Sequence, residues 1–487
     1  MKVLLIDIDT LRADHLGCYG YKRNTSPNID EIAEEGVKFN KYYCPNAPCL
    51  PSRASFVSGK FGIHTGVVGH DGTGADMWLE GSKRGFRSHM AQNSLFNLFR
   101  KAGLYTASVS TFPERHSAWW FNAGFNECVN VGGGGMESAE EVTPEVLSWL
   151  DRKGADENWF LHVHYWDPHT PYRAPLELGN PFENEELPDN WINEEIFDEH
   201  KRHIGPHGPN EIYMWDDNFD PKYPRHPGKL NSLDDVKKFI DNYDLGVKYA
   251  DMQVGIIIDK LKKLGVYEDV SVIVTSDHGE NLGELGIYGE HATADEPTCR
   301  IPMIIKWQGG MKGISDESFH TNVDLAPTVE ELLSIKEKYD KWDGESYART
   351  VLNGDTCQRD MVVLTQCAHV CQRSVRFDDY LYIRTYHGGF HMFEDEMLFN
   401  IKEDKFQTKN LAKDCPDLCG QGARYLEKWV SDMMQSSDYV TDPLWMVMKE
   451  GGPAHARGWK KNYTDRLRSQ NRVSDAEVLE KKYKNFN

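Results

Sequence analysis

Val3-Leu4-Leu5-Ile6-Asp7-Ile8-Asp9 near the start, and Val270-Ser271-Val272-Ile273-Val274-Thr275 closed by Ser276-Asp277-His278-Gly279, decide the fold. Each is a short β-rich run that ends in polar residues, the pattern of a parallel strand buried inside a sheet. Around them, strands and helices alternate. Ile29, Ile32 and Ala33 set the stripe of a helix that starts near Ser26-Pro27 and stops at Gly36. Leu95–Ala102 reads as a second helix, followed by the strand Tyr105–Val109. Trp159–Tyr165 is a further strand, closed by Asp167-Pro168. A long helix runs from about Tyr243 to Leu264, with Val247, Ala250, Val254, Ile257, Ile258 and Leu261 on one face and Gly265 as its stop. This alternation predicts an α/β fold: a large, mixed, mostly parallel sheet flanked by helices. Beyond residue 358 the pattern changes. Met361–Thr365, Ser374–Phe377 and Tyr380–Arg384 read as antiparallel strands and Leu418–Met434 as a helix, a smaller C-terminal α+β subdomain. The expected organisation is a catalytic unit over 1–358, the subdomain over 359–440 and a locally basic tail over 441–487, most simply a solvated arm, with a packing or oligomer role as the alternative. Residues 174–235, rich in Pro, Asn, Asp and Glu, read as a long surface insertion in the first unit.

The chain has 487 residues and a net charge of −21, which argues against nonspecific nucleic-acid binding. An anionic small substrate stays compatible with it, because a local group of Arg and His can outweigh a distant global charge. With 39% apolar and 11% aromatic residues the chain can bury a large core. No apolar run reaches the roughly 18–20 residues of a membrane span. Only four apolar residues precede Asp7, short of a secretory signal, so a cytoplasmic address is expected, with the ten cysteines mostly thiols. Cys367/Cys371 and Cys415/Cys419 form two CxxxC pairs, read as isolated thiols in preference to a zinc site.

In an open parallel sheet ligands bind at the carboxyl ends of strands. Asp9 and the pair Asp277-His278 stand at two such ends, and their convergence would give an oxygen-rich pocket for a divalent cation. Asp7 shares a strand face with Asp9. A second motif, Cys49-Leu50-Pro51-Ser52-Arg53-Ala54-Ser55 followed by Ser58-Gly59-Lys60, resembles the C-x-P-S-R signature of the type I sulfatases, in the alkaline-phosphatase-like superfamily. The surroundings match in order: Asp9–Gly17, Ser26-Pro27-Asn28-Ile29, Glu35–Phe39, Asp167-Pro168-His169-Thr170-Pro171-Tyr172, Thr275–Glu280 and Arg300-Ile301-Pro302.

The resemblance implies an alkaline-phosphatase-like fold and a sulfuric ester hydrolase. In it, Cys49 is converted to formylglycine by a maturating enzyme, and one oxygen of the hydrated aldehyde attacks sulfur while the other later expels sulfate. It implies a metal site of Asp9, Thr10, Cys49, Asp277 and His278, with Ca²⁺ the expected ion and Mn²⁺ or Mg²⁺ the alternatives. Arg53 is implied as the cation beside the modified residue and the sulfate, and His169 as the histidine near the leaving oxygen. The family's Lys and His of a G-K-x-H segment are absent at Ser110-Thr111-Phe112-Pro113, so Arg115 or His116 is expected to stand in. The family's late lysine aligns with His291, expected to bind sulfate or act as general acid. His162 and His164 share one strand face and read as packing or supporting residues. The substrate is expected to be a small sulfated mono- or disaccharide, with the insertion shaping specificity through Trp191, Tyr213 and Trp215. A phosphonate monoester or phosphodiester hydrolase of the same superfamily is the rival enzyme. A non-catalytic binding homologue stands behind both, since Asp9, Cys49, Arg53, Asp277 and His278 are all present. Self-association is left open.

Overall fold

The computed structural model describes residues 1–81, 86, 88–209 and 217–486. Eight strands form one sheet, in the order Ile314–Thr321, Val37–Tyr43, Met303–Lys306, Val270–Thr275, Lys2–Ile8, Trp159–Tyr165, Tyr105–Val109 and Glu127–Val129. Neighbours run parallel except where Met303–Lys306 pairs antiparallel with both of its partners. The first strand lies at the centre and sorts its side chains by alternation. Val3 and Leu5 enter one core and Leu4, Ile6 and Ile8 the other. Asp7 and Asp9 continue the Val3-Leu5 row. They therefore look toward the face that carries the helix Cys49–Ser58, all ten of whose residues are buried.

The opposite face is covered by Ala139–Lys153 and by a helix of 31 residues, Leu233–Lys263. The latter starts ten residues before the sequence pattern suggests, where the Ser232 side chain accepts the Asp235 N–H and acids fill the first turn. Asp251 on this helix accepts the Ile29 N–H at 2.8 Å and caps the helix Pro27–Glu34 from across the chain.

A second sheet orders Glu396–Asn400, Tyr380–His387, Cys371–Phe377, Met361–Gln366 and Asn46–Ala47. It is antiparallel except for the last pair, Thr365↔Asn46 and Gln366↔Ala47, which is parallel. The segment just before Cys49 is thus an edge of the C-terminal sheet. The helix Pro416–Ser436 covers the sheet's outer face through Cys419, Gly422 and Leu426.

Two expectations need correction. The insertion is not featureless, since Glu194–Arg202 is a helix capped by Asn193, with Glu194 and Glu195 in its first turn and His200, Lys201 and Arg202 in its last. Phe182, Ile192, Phe197 and Leu230 tie it into the main core. The tail is not a solvated arm. Its helices Pro443–Lys449, Lys460–Ser469 and Val473–Lys482 bury Tyr463, Leu467, Ala476, Leu479 and Tyr483 around Phe390. Apolar residues at helical spacing outweigh the basic composition here. Tyr213 and Trp215 lie outside the described residues. Trp191 stacks on Phe406 with ring centroids 4.8 Å apart, so one of its faces serves loop packing. All ten cysteines are free thiols, and the two CxxxC pairs sit in different clusters, so they do not form one four-thiol site. Among the described residues no helix is long and apolar enough to cross a membrane.

The tail is anchored by Arg373 and Asp442, a two-pronged pair at 2.5 and 2.7 Å with both side chains buried. Asp442→Ala leaves the guanidinium unpaired in the interior, and urea unfolding is expected to show a loss of about 3–5 kcal/mol. A loss under about 1 kcal/mol, the value of an exposed pair, would mean that water reaches Arg373.

Candidate active site

Four strand ends of the large sheet and the start of one helix supply the site. Asp9 follows the first strand, Asp277 and His278 follow Val270–Thr275, and His169 follows Trp159–Tyr165. Ser110 and Thr111 follow Tyr105–Val109, and Cys49 opens its helix on the shared face. One donor atom each from Asp9, Cys49, Asp277 and His278 lies within 4.8 Å of the others, and all four residues are buried.

The scaffold fixes each donor. Asp277 Oδ1 accepts the backbone N–H groups of Thr10 (3.2 Å) and His278 (2.8 Å), which leaves Oδ2 facing the cluster. Asp9 Oδ1 accepts the Thr10 hydroxyl at 2.7 Å. Thr10 thus helps orient Asp9 through its hydroxyl. Its φ of 62° is unusual for a β-branched residue and carries strain on the order of 1–3 kcal/mol. The His278 Nδ1–H donates to the Gly279 carbonyl at 2.8 Å, so its Nε2 lone pair points into the cluster, 3.1 Å from Cys49 Sγ and 3.3 Å from Asp277 Oδ2. Two carboxylates and an imidazole lone pair in a buried pocket suit a divalent cation.

Behind them sits Arg53, about 1% exposed. Its Nε and Nη2 bond Asp7 at 3.0 and 3.2 Å, and its Nη1 bonds Asp9 at 2.9 Å and also Asp277. Nη2 further donates to His164 Nε2 at 2.7 Å, which places the His164 proton on Nδ1, 3.1 Å from Ser110 Oγ. The guanidinium thus faces three carboxylates. Ser110 and Thr111 also find their roles. Ser110 holds His164, and the Thr111 hydroxyl accepts the Trp166 indole N–H at 2.9 Å and donates to Glu137.

Burial alone pushes the Asp7 and Asp9 carboxyls up. Arg53 outweighs it, helped by His162 and His164 for Asp7 and by His169, His164 and His278 for Asp9, and both carboxyls sit well below the ordinary range. Asp277 is pushed up to about 6 by burial, with Asp9 adding to the effect against Arg53. Burial, with Asp9 and Asp277, also drives the Cys49 thiol well up, so the unmodified side chain is a thiol and a poor nucleophile near neutral pH.

A set of imidazoles surrounds this centre. The His291 ring lies 4.3 Å from that of His278 and 5.3 Å from that of His169. The His169 Nδ1–H donates to the Thr170 carbonyl, leaving Nε2 open. Burial lowers His169 to about 3 and His291 well below the usual value, the latter helped by His278. His116 is half-buried and packs nearest Phe112 and His70, at 5.0 and 5.3 Å between rings. Arg115 stands on the exposed rim with its guanidinium 5.0 Å over Trp166. Sequence reasoning missed His70, Glu290, His369 and His455. The last three come from the 281–295 loop, the second sheet and the tail, and no local pattern joins them.

In chelator-treated protein, Arg53→Met strands Asp7 and Asp9 without a counter-charge. A carboxyl held low in the fold stabilises it above the unfolded value near pH 4 and loses that contribution as pH falls. The variant is therefore expected to be about 3–5 kcal/mol less stable at pH 7, with the deficit narrowing only as pH falls below about 4. A deficit independent of pH would assign Arg53 to packing alone.

Residues 2–335 match the family model described as Sulfatase. A choline-sulfatase of Rhizobium meliloti is 25% identical over 440 residues, covering 80% of this chain and 78% of the relative. An N-acetylglucosamine-6-O-sulfatase of Bacteroides thetaiotaomicron is 23% identical over 393 residues, covering 68% and 67%. A structure solved with D-glucosamine-2-N,6-O-disulfate superposes with a TM-score of 0.70 at 18% identity, over 90% of this chain and 98% of the other. A phosphonate monoester hydrolase of Agrobacterium radiobacter gives 0.65 at 18% identity, over 89% and 95%. Since the matched residues span every segment that builds the Asp9, Cys49 and Asp277 cluster, the chain belongs to the sulfatase family, within the alkaline-phosphatase-like superfamily.

Proposed function

We propose that the chain hydrolyses a sulfate ester on a small carbohydrate, with Cys49 converted to formylglycine as the nucleophile. The observation that carries this reading is the buried convergence of Cys49 with Asp9, Asp277 and His278, braced from behind by Arg53. These residues would hold one divalent ion, Ca²⁺ first and Mn²⁺ or Mg²⁺ as alternatives, which supplies the positive charge that activates a hydroxyl near neutral pH. The raised thiol of Cys49 supports the need for conversion by a maturating enzyme, because the native side chain is protonated where the family's nucleophile must be ionised.

The chain's own groups do the rest. Asp9 and Asp277 are each held through both oxygens, Asp9 by Thr10 and Arg53 and Asp277 by the Thr10 and His278 N–H groups and Arg53, which fixes them beside the reacting centre. His169 and His291 flank it as neutral imidazoles. A bound anion favours their protonated forms, so binding of the sulfate prepares His291 to give a proton to the leaving alcohol oxygen and His169 to hold the sulfate. Arg115 meets the anion at the rim, and His116 stands behind it. The carbohydrate class follows the relative acting on N-acetylglucosamine-6-O-sulfate and the structure solved with a sulfated glucosamine.

Sulfate release from a panel of sulfated mono- and disaccharides is expected for at least one member when a maturating enzyme is co-expressed. It is expected to vanish in Cys49→Ala and to fall about 10²–10⁴-fold in kcat for His291→Ala. The absence of a lysine or histidine at Ser110-Thr111-Phe112-Pro113 favours the second reading, phosphonate monoester or phosphodiester hydrolysis. Turnover of those esters with no sulfate from any panel member would put it in place of the first.

A further inference from the structure

A second group of side chains lies beside the reactive centre and shares His291 with it. One donor atom each from Glu290, His291 and His369 falls within 4.8 Å of the others, and each residue is more than nine-tenths buried. Their polar atoms are left unanswered: Glu290 Oε2, His291 Nδ1 and His369 Nε2 are buried without a hydrogen-bond partner. Three such atoms on neighbouring side chains are costly for an interior that otherwise satisfies its polar groups. The carboxyl of Glu290 lies 3.9 Å from His369 Nδ1, beyond hydrogen-bond distance. A buried carboxylate without a counter-charge is unfavourable.

The rings are held in place by further rings. His369 stacks on His455, with centroids 4.1 Å apart and planes at 13°. His455 in turn lies 3.0 Å from His70 through its Nε2. The tail thus fixes the orientation of His369, and the Gln366 side chain fixes the loop by donating to the His291 carbonyl at 2.7 Å. Burial keeps these imidazoles neutral. The pocket therefore offers imidazole lone pairs and one carboxyl, a donor set that suits a cation.

We infer that Glu290, His291 and His369 form a second metal site, separate from the Asp9 and Asp277 site, for a borderline divalent ion of the Zn²⁺ class. Two imidazoles and one carboxylate are the donor set of zinc and its neighbours, whereas Ca²⁺ takes oxygen ligands. Such an ion would place positive charge beside His291. Arg53, the cation of the reactive centre, is already engaged by three carboxylates.

The test uses the full chain, stripped with a chelator, dialysed against Co²⁺ or Zn²⁺ and counted by mass spectrometry. Two equivalents are expected for the wild type and one for Glu290→Gln and for His369→Ala, with the Zn²⁺-dependent rise in melting temperature reduced in both. Glu290→Gln keeps the shape of the side chain, so it decides the matter if His369→Ala misfolds by circular dichroism. One equivalent in the wild type, or two retained in Glu290→Gln, overturns the inference. Metal counting does not depend on turnover, so failure of every sulfate ester would remove the proposed activity and leave this result standing.

Discussion

Everything at the reactive end of this protein depends on one cation under three anions. Asp7, Asp9 and Asp277 converge from two adjacent strands, and nothing in the interior could hold them together without Arg53. The helix that carries Arg53 also carries Cys49 one turn earlier, so the counter-charge and the reactive side chain are placed by the same rigid element. Its burial on every side prevents either from drifting. His164 takes the last available guanidinium hydrogen and is steadied by Ser110, which extends the lattice to a third and a fourth strand. The functional geometry is thus a by-product of charge balance inside a packed sheet.

That arrangement explains what was legible from residues alone. The central strands could be read because apolar runs buried on two faces leave no ambiguity, and their observed bounds at Trp159–Tyr165, Tyr105–Val109 and Val270–Thr275 match the reading. The cluster Asp9, Cys49, Asp277 and His278 was legible because each member sits in a local motif. The two-residue strand Asn46–Ala47 carries no pattern and depends on a partner more than 300 residues away. The helix Glu194–Arg202 did announce itself, through Asn193 and opposite charges at its two ends, but the polar composition around it masked the signal. The tail misled in the opposite way, its lysines and arginines hiding Tyr463, Leu467 and Leu479. Thr10 could not have been read from its type, since its role follows from a backbone turn that sequence does not display.

The imidazole-rich wall shows how a strongly acidic chain can still receive an anion. A net charge of −21 is spread over the surface, while the cavity side of the site is lined by His169, His278 and His291. His169 and His291, kept neutral by burial, neither repel an anion nor attract one strongly. The attraction arises when a cation or a proton arrives. Arg115 and Arg173, the latter bonded to the His169 carbonyl at 3.2 Å, supply the standing positive charge nearby.

The pairing of Asn46–Ala47 with Thr365–Gln366 also sets a clock. Cys49 is about 2% exposed in the finished fold, where no other protein could touch it. Yet the strand just ahead of it has no partner until some 320 further residues have left the ribosome. At about 5–20 residues per second that interval is on the order of 15–60 s. During it the cysteine segment is an unclosed edge, accessible to any catalyst that recognises it as an extended peptide. The same contact that seals the site is therefore one of the last that the growing chain can make.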